Sequence, residues 1–216
     1  MKGFFISFEG TEGGGKSTQI QLLAERLRAL GRIVRVVREP GGTPIGEEVR
    51  HTLKHSEANR AMTNEAELLL MNASRAQLVR EVIRPALAAH EVVLCDRFYD
   101  STVAYQGYGR GLALDVVQTV IDLAVDGTRP DLTLILDVPV SVSEERRITR
   151  QAKVPIEPAR DRMEEADRKF FERVHEGFRA IAAAHPDRVT VIDATQDIAT
   201  VSATIWSTVA KRFQLG

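Results

Sequence analysis

The chain has 216 residues, 44% of them apolar and 27% charged, which are the proportions of an ordinary globular protein and exclude a disordered one. Lys and Arg number 29 against 30 Asp and Glu, and the net charge of −1 excludes a global pull toward nucleic acid or an anionic membrane. The single cysteine, Cys95, excludes an internal disulfide, and no apolar run approaches the ~18 residues of a membrane span, so a single cytoplasmic domain over 1–216, without nucleic-acid or membrane partners, is the starting expectation.

Short apolar runs alternate with helical periods along the whole chain, with no repeat and no flexible linker. Phe4–Phe8 is the first run and reads as a buried strand. Gly10-Thr11-Glu12-Gly13-Gly14-Gly15-Lys16-Ser17 follows at once and matches G-x-x-x-x-G-K-[ST]. Each residue type there has a reason. Glycines let successive backbone N–H groups converge on phosphate oxygens. The helix that starts here adds the positive end of its dipole. Lys16 neutralises the β- and γ-phosphates, and Ser17 offers its hydroxyl to Mg2+. Gly10 through Thr18 are therefore the candidate nucleotide-binding segment, with Lys16 also catalytic. The guanine-reading pattern N-K-x-D does not occur, which favours ATP. A small protein with such a loop is expected to be a kinase for a small molecule.

Ile20, Leu23, Ala24 and Leu27 recur at helical spacing, and Gly31 suits a C-terminal cap. Ile33–Val37 is the second strand. Asn64 and Glu67 read as an N-cap pair opening a helix through Leu68, Met71, Arg75 and Leu78, which Pro85 is expected to kink or end. The third strand, Val92–Cys95, runs into Asp96-Arg97-Phe98, with Ser101, Thr102, Tyr105 and Gln106 just beyond. An acid at the end of a buried strand beside the phosphate loop is placed to hold Mg2+. Arg97, next to it, is placed to clamp a phosphate.

Asp115 and Gln118 are expected to open a helix whose inner face carries Val117, Val120, Ile121 and Ala124. Leu132–Leu136 is the fourth strand, and Ser141 with Glu144 reads as a capping box. Glu144–Arg162 then carries Arg146, Arg147, Arg150, Lys153, Arg160 and Arg162, interrupted by Pro155 and Pro158. A basic, proline-broken segment fits a lid that closes and excludes water. Phosphoryl transfer needs cations around the transferred group, and Thr11–Gly14 holds none, so the lid arginines are the suppliers, Arg147 and Arg150 foremost. Phe170, Phe171, Val174, Phe178 and Ile181 face one side of a late helix, Val189–Ile192 is the last strand, and Ile198, Val201, Ile205 and Val209 face one side of the last helix. Strands alternating with helices imply an α/β fold, a mostly parallel sheet covered on both sides, with ligands at the carboxyl ends of its strands.

Gly10–Ser17 with Glu12, Arg38-Glu39-Pro40-Gly41-Gly42-Thr43, Ser74-Arg75-Ala76-Gln77-Leu78, Asp96-Arg97-Phe98 with Ser101, Tyr105 and Gln106, and Asp193-Ala194-Thr195 together resemble the bacterial thymidylate kinases, in the family's order and over nearly the whole chain. The resemblance implies the P-loop nucleoside-monophosphate-kinase fold, a five-stranded parallel sheet flanked by helices with a short basic lid over about 144–162, and a homodimer. It implies transfer of the γ-phosphoryl of ATP to dTMP with Mg2+, giving dTDP and ADP. It further implies that Arg97 contacts the dTMP phosphate and Arg75 the thymine edge. Thr102 falls on the N3 side of the base, Tyr105 against the 2′ position, and Glu12 near the sugar 3′-hydroxyl and the metal. Arg50 is a further candidate ligand of the acceptor phosphate, and Ser101 and Gln106 complete the acceptor-side set. Met71 departs from the pattern, standing where the family usually has a Phe stacked on thymine; a thioether also packs on an aromatic ring. Asp161-Arg162-Met163-Glu164 resembles the acidic lid-end motif.

No strong base is called for, because a phosphate monoester has its second pKa near ~6 and is already a dianionic nucleophile at pH 7. Two other readings share the phosphate loop. A deoxynucleoside kinase would act on a neutral hydroxyl and need a carboxylate base, with Glu39 the one tempting candidate. A regulatory ATPase would hydrolyse ATP without any acceptor. The five histidines show no metal spacing, and Cys95 reads as a buried strand residue.

Overall fold

A computed structural model describes residues 2–151 and 167–215. The five apolar runs are five strands: β1 (Phe4–Glu9), β2 (Val34–Arg38), β3 (Val92–Asp96), β4 (Leu132–Asp137) and β5 (Val189–Asp193). They pair in parallel, in the order β2-β3-β1-β4-β5. β1 is central and buried at every residue. Phe4, Ile6 and Phe8 enter one core layer, while Phe5 enters the other. Between Phe5 and Glu9 on that second face stands Ser7, hydrogen-bonded to Thr133 of β4 at 2.9 Å. The outer strands are covered less than the sequence predicts: Ile33, just before β2, is 67% exposed and Val191 of β5 48%. Only the three inner strands have neighbours on both edges.

The register sets Phe8 opposite both Asp96 and Leu134, and Asp96 opposite Arg38. The polar ends Glu9, Arg38 and Asp96 therefore finish at one rim of the sheet, where the chain turns into helices. α1 (Lys16–Ala29) buries Ile20, Leu23, Ala24 and Leu27 as spaced. Gly31, at φ 76°, donates its N–H to the Arg28 carbonyl and closes the helix. α2 (Pro44–Lys54), capped by Thr43 Oγ accepting from the Gly46 N–H at 2.9 Å, has no counterpart in the apolar periodicity.

Several helix boundaries differ from expectation. α3 (Asn64–Leu78) is capped by Thr63, whose hydroxyl accepts from the Ala66 N–H, so Asn64 is already inside the helix. Pro85 does not end the helical path. The chain passes through a wide turn, Val79–Ile83, into α4 (Arg84–Ala88), and Pro85 sits in the first turn of α4, where its missing N–H is not needed. After α5 (Tyr99–Thr102) and a second wide turn, Val103–Gly109, α6 (Leu114–Val125) starts from Ala113 with no side-chain cap; Asp115 lies within its first turn. α7 (Val140–Gln151) begins ahead of Ser141, so no capping box forms with Glu144. α8 (Arg168–Ala184) buries the predicted Phe170, Phe171, Val174, Phe178 and Ile181. α9 (Ile198–Phe213) buries Val201, Ile205 and Val209 but leaves Ile198 60% exposed, one residue past the Asp197 cap. His175 of α8 reaches back to the end of β4, its Nε2 2.7 Å from Asp137 Oδ1. No helix of the described residues is long and apolar enough to cross a membrane.

Candidate active site

The phosphate loop leaves β1 at Gly10, whose φ is 120° and where an added Cβ would lie 2.4 Å from the Leu136 carbonyl oxygen. Only glycine fits both constraints. Gly15, at φ 86°, starts α1. Lys16 is buried and folds back, donating to the carbonyls of Gly10 at 3.1 Å and Thr11 at 2.9 Å. Burial and the neighbouring Arg97 guanidinium push its pKa down to about 7, so an arriving anion would restore its charge. Ser17 Oγ donates to Asp96 Oδ2 at 2.9 Å, which brings two hard oxygen donors together at the start of α1.

Arg97 holds a left-handed backbone, φ 69°. Its Nη1 donates to the Gly10 carbonyl at 2.9 Å and to Ser101 Oγ at 3.1 Å, and its Nη2 to the Tyr105 hydroxyl at 3.3 Å. Burial opposes its charge, but Tyr105, Asp96, Glu9 and Glu12 outweigh that and raise its pKa. Glu9, at the end of β1, accepts from the Phe98 N–H at 2.7 Å and from Ser101 Oγ at 2.5 Å. Burial, with the nearby Asp100, pushes Glu9 up to about 8. Arg75 is 2% exposed. Its Nε and Nη2 donate to Glu39 Oε2 at 2.9 and 2.6 Å, and its Nη1 to Asn72 Oδ1 at 2.7 Å. Burial raises the Glu39 pKa against the pull of Arg75.

These elements enclose one cavity of about 490 Å3. From the phosphate loop it is lined by Glu12, Gly13, Gly15, Lys16, Ser17 and Thr18. From the other side come Arg50, Met71, Arg75, Asp96, Arg97, Ser101, Thr102, Tyr105 and Gln106. All of these were candidates from sequence. Gly10, Thr11 and Gly14 stand behind the lining; the first two supply the carbonyls that hold Lys16. Arg147 and Arg150 belong to α7, but their side chains lie outside the described residues, as do the whole of Lys153, Arg160, Arg162 and the 161–164 motif. Arg146 of the same helix lines the cavity and donates to the Ala194 carbonyl at 3.1 Å.

The lining also includes Lys54 and Phe171, which the sequence reading did not propose for the site, and Arg38, Glu39 and Pro40, which entered it through the Arg38–Thr43 motif, Glu39 also as a candidate base. Lys54 follows Arg50 by one turn of α2, a spacing that could have found it. Cations outnumber acids around the cavity, so it suits polyanions. No cluster of three or more metal-ligating His, Cys, Asp or Glu occurs among the described residues.

A family model described as thymidylate kinase matches residues 8–205. A thymidylate kinase from Geobacter sp. (strain M21) is 46% identical over 212 residues, covering 98% of this chain and 93% of that protein. One from Synechococcus sp. (strain JA-2-3B'a(2-13)) is 48% identical over 211 residues, covering 98% and 96%. Among solved structures, the thymidylate kinase of Ehrlichia chaffeensis superposes with a TM-score of 0.75 at 33% identity, covering 97% of this chain and 99% of that one.

Proposed function

Since this chain belongs to the thymidylate kinase family and phosphorylates dTMP to dTDP as an ATP-dependent nucleotide kinase, we propose that its single domain does so by holding two polyanions in line across the cavity. Gly10 to Thr18 cradle the ATP phosphates, with Lys16 on the β- and γ-phosphates and Glu12 toward the acceptor sugar. Ser17 and Asp96 are the residues that would hold Mg2+. Their 2.9 Å contact fits a small cation that takes one or two protein oxygens and fills its remaining positions with phosphate and water. Held there, the ion would supply positive charge that offsets the charge developing on the phosphoryl group.

On the acceptor side Arg97 and Arg50 grip the dTMP phosphate with Ser101 beside them. Arg75, Thr102 and Gln106 read the base, Met71 packs on its ring, and Tyr105 crowds the 2′ position. The acceptor oxygen attacks the γ-phosphorus, and the bond to the leaving ADP oxygen breaks on the opposite side. Arg147 and Arg150, from a lid over about 144–162, add charge to the transferring group. Orientation and electrostatics carry the rate, since a dianionic phosphate needs no base.

The observation that carries this reading is Arg97. Its one guanidinium bridges the phosphate-loop carbonyl of Gly10 and the acceptor-side Ser101 and Tyr105, which is where two phosphates would meet. Glu39, the carboxylate that the sequence offers as base for a neutral hydroxyl, is engaged by Arg75, which counts against a nucleoside as acceptor. Leu69 of α3 and Leu114, Val116 and Leu123 of α6 are exposed apolar residues and support a homodimer through these helices. We place the enzyme in the cytoplasm, with dTMP as its small-molecule partner and no nucleic acid or membrane involved. The test is ADP release with ATP plus dTMP, ATP plus thymidine, and ATP alone. Turnover with dTMP only is expected; turnover of thymidine, or hydrolysis indifferent to the acceptor, would overturn the assignment.

A further inference from the structure

One amide at the cavity has its orientation set from behind. Gln106 is 1% exposed and lines the cavity. Its Nε2 donates to Glu67 Oε1 at 2.8 Å. Glu67 is itself 2% exposed, and Arg110 closes on it, with Nε 3.1 Å from Oε1 and Nη2 3.0 Å from Oε2. The Arg110 guanidinium in turn lies over the Phe170 ring, 4.7 Å from its centroid, so the pair is anchored in the core.

A carboxylate paired to a guanidinium only accepts hydrogen bonds. It therefore admits one of the two orientations of a neighbouring amide: NH2 toward Glu67, carbonyl oxygen away. That oxygen accepts no hydrogen bond from the described residues and is left for whatever occupies the cavity. Glu67, Met71 and Arg75 stand four residues apart on α3 and form one stripe. Arg75, fixed by Glu39 and Asn72, can only donate. The cavity thus offers a fixed donor and a fixed acceptor. That pair complements an imide edge, in which a carbonyl stands beside an N–H. Cytosine presents the reverse, an amino group beside a bare nitrogen.

We propose that Glu67, held by Arg110, is a positioning residue that turns the Gln106 carbonyl toward the acceptor base and so makes the site select an imide-bearing pyrimidine over cytosine. This rests on the reading of the cavity as a dTMP site, which turnover of dTMP by the wild-type protein tests separately.

Glu67→Gln keeps the volume but can donate or accept, which frees the Gln106 amide to flip. The expected result is a KM for dTMP raised about tenfold, with the KM for ATP unchanged, and a ratio of the Ki of dCMP to the KM of dTMP that falls at least tenfold. Because the effect passes through Gln106, adding Glu67→Gln to a Gln106→Leu background should change that ratio less than twofold. Arg110→Met, which leaves Glu67 in place, should lower the ratio about threefold and serves where Glu67→Gln does not fold. An unchanged dCMP-to-dTMP ratio in both single variants would overturn the proposal, since a merely structural role weakens both nucleotides alike. A full further loss in the Gln106→Leu background would overturn it too.

Discussion

The two walls of the cavity are built by different means. The phosphate-loop wall works through main chain: glycines at positive φ, a helix start, and one lysine held by two carbonyls. The wall proposed for the acceptor is made of side chains backed by buried acids: Arg97 through Ser101, which donates to Glu9, Arg75 by Glu39, and Gln106 by Glu67. Phosphate oxygens are alike in every nucleotide, so backbone N–H groups suffice for them. A base edge and a single phosphate must be told from competitors, and this calls for donors and acceptors of fixed direction.

The sharpest way to break this contrast is to remove one cation from each wall. Lys16→Ala should lower kcat by about 10²–10³-fold while leaving dTMP affinity nearly intact; equal loss of dTMP binding, read by calorimetry, would erase the division. Arg97→Ala should raise the KM for dTMP by about 10–100-fold, with ATP affinity shifted far less. Parallel losses for both nucleotides would show that Arg97 serves the loop and not the acceptor.

A smaller effect distinguishes the walls by proton count. Lys16 sits near pKa 7 without ligand, and phosphate raises it, so ATP binding at pH 8 should take up nearly one proton, about 0.9 at most. Titrations in buffers of different ionisation enthalpy measure this, and Lys16→Ala should abolish it.

The smallest expected effect concerns stability. Glu9 releases its proton near 8 in the folded chain but near 4.5 when unfolded. Between those values the folded state holds the extra proton, so stability falls as pH rises from 4.5 to 8. Glu9→Gln keeps an acceptor for the Phe98 N–H and removes that dependence. Its Tm should gain steadily on that of wild type as pH rises from 5 to 8. A Tm difference that stays flat across this range would show that Glu9 does not titrate there.

Sequence legibility follows the same division. The glycine turn after β1 is readable because positive φ and close backbone approach leave few residue types possible. The three inner strands are readable because central strands of a parallel sheet demand continuous apolar runs, and β2 and β5 because they remain rich in β-branched residues although they are less covered. Glu9 and Glu67 are invisible at that level. Each is an acid whose partner lies 89 and 39 residues away in Phe98 and Gln106, and nothing in its own neighbourhood marks it as buried. The misplaced helix starts have a local cause. Thr63 and Asn64 are both good caps, and the fold selects the one whose hydroxyl meets Ala66; α6 starts at Ala113 with no cap at all. α2 escapes detection because it buries only Gly46 and Leu53, too few to make a period.

The contact between His175 and Asp137, 38 residues apart, gives the chain a neck. It leaves the sheet after β4 and is fastened again at the same strand end. Fastening the chain back at the end of the same strand closes a long loop, whose entropic cost grows only by about 0.6 kcal/mol for each doubling of its length. Because Arg146 and Phe171 line the cavity from within this loop, the tie at its base belongs to the support of the site itself.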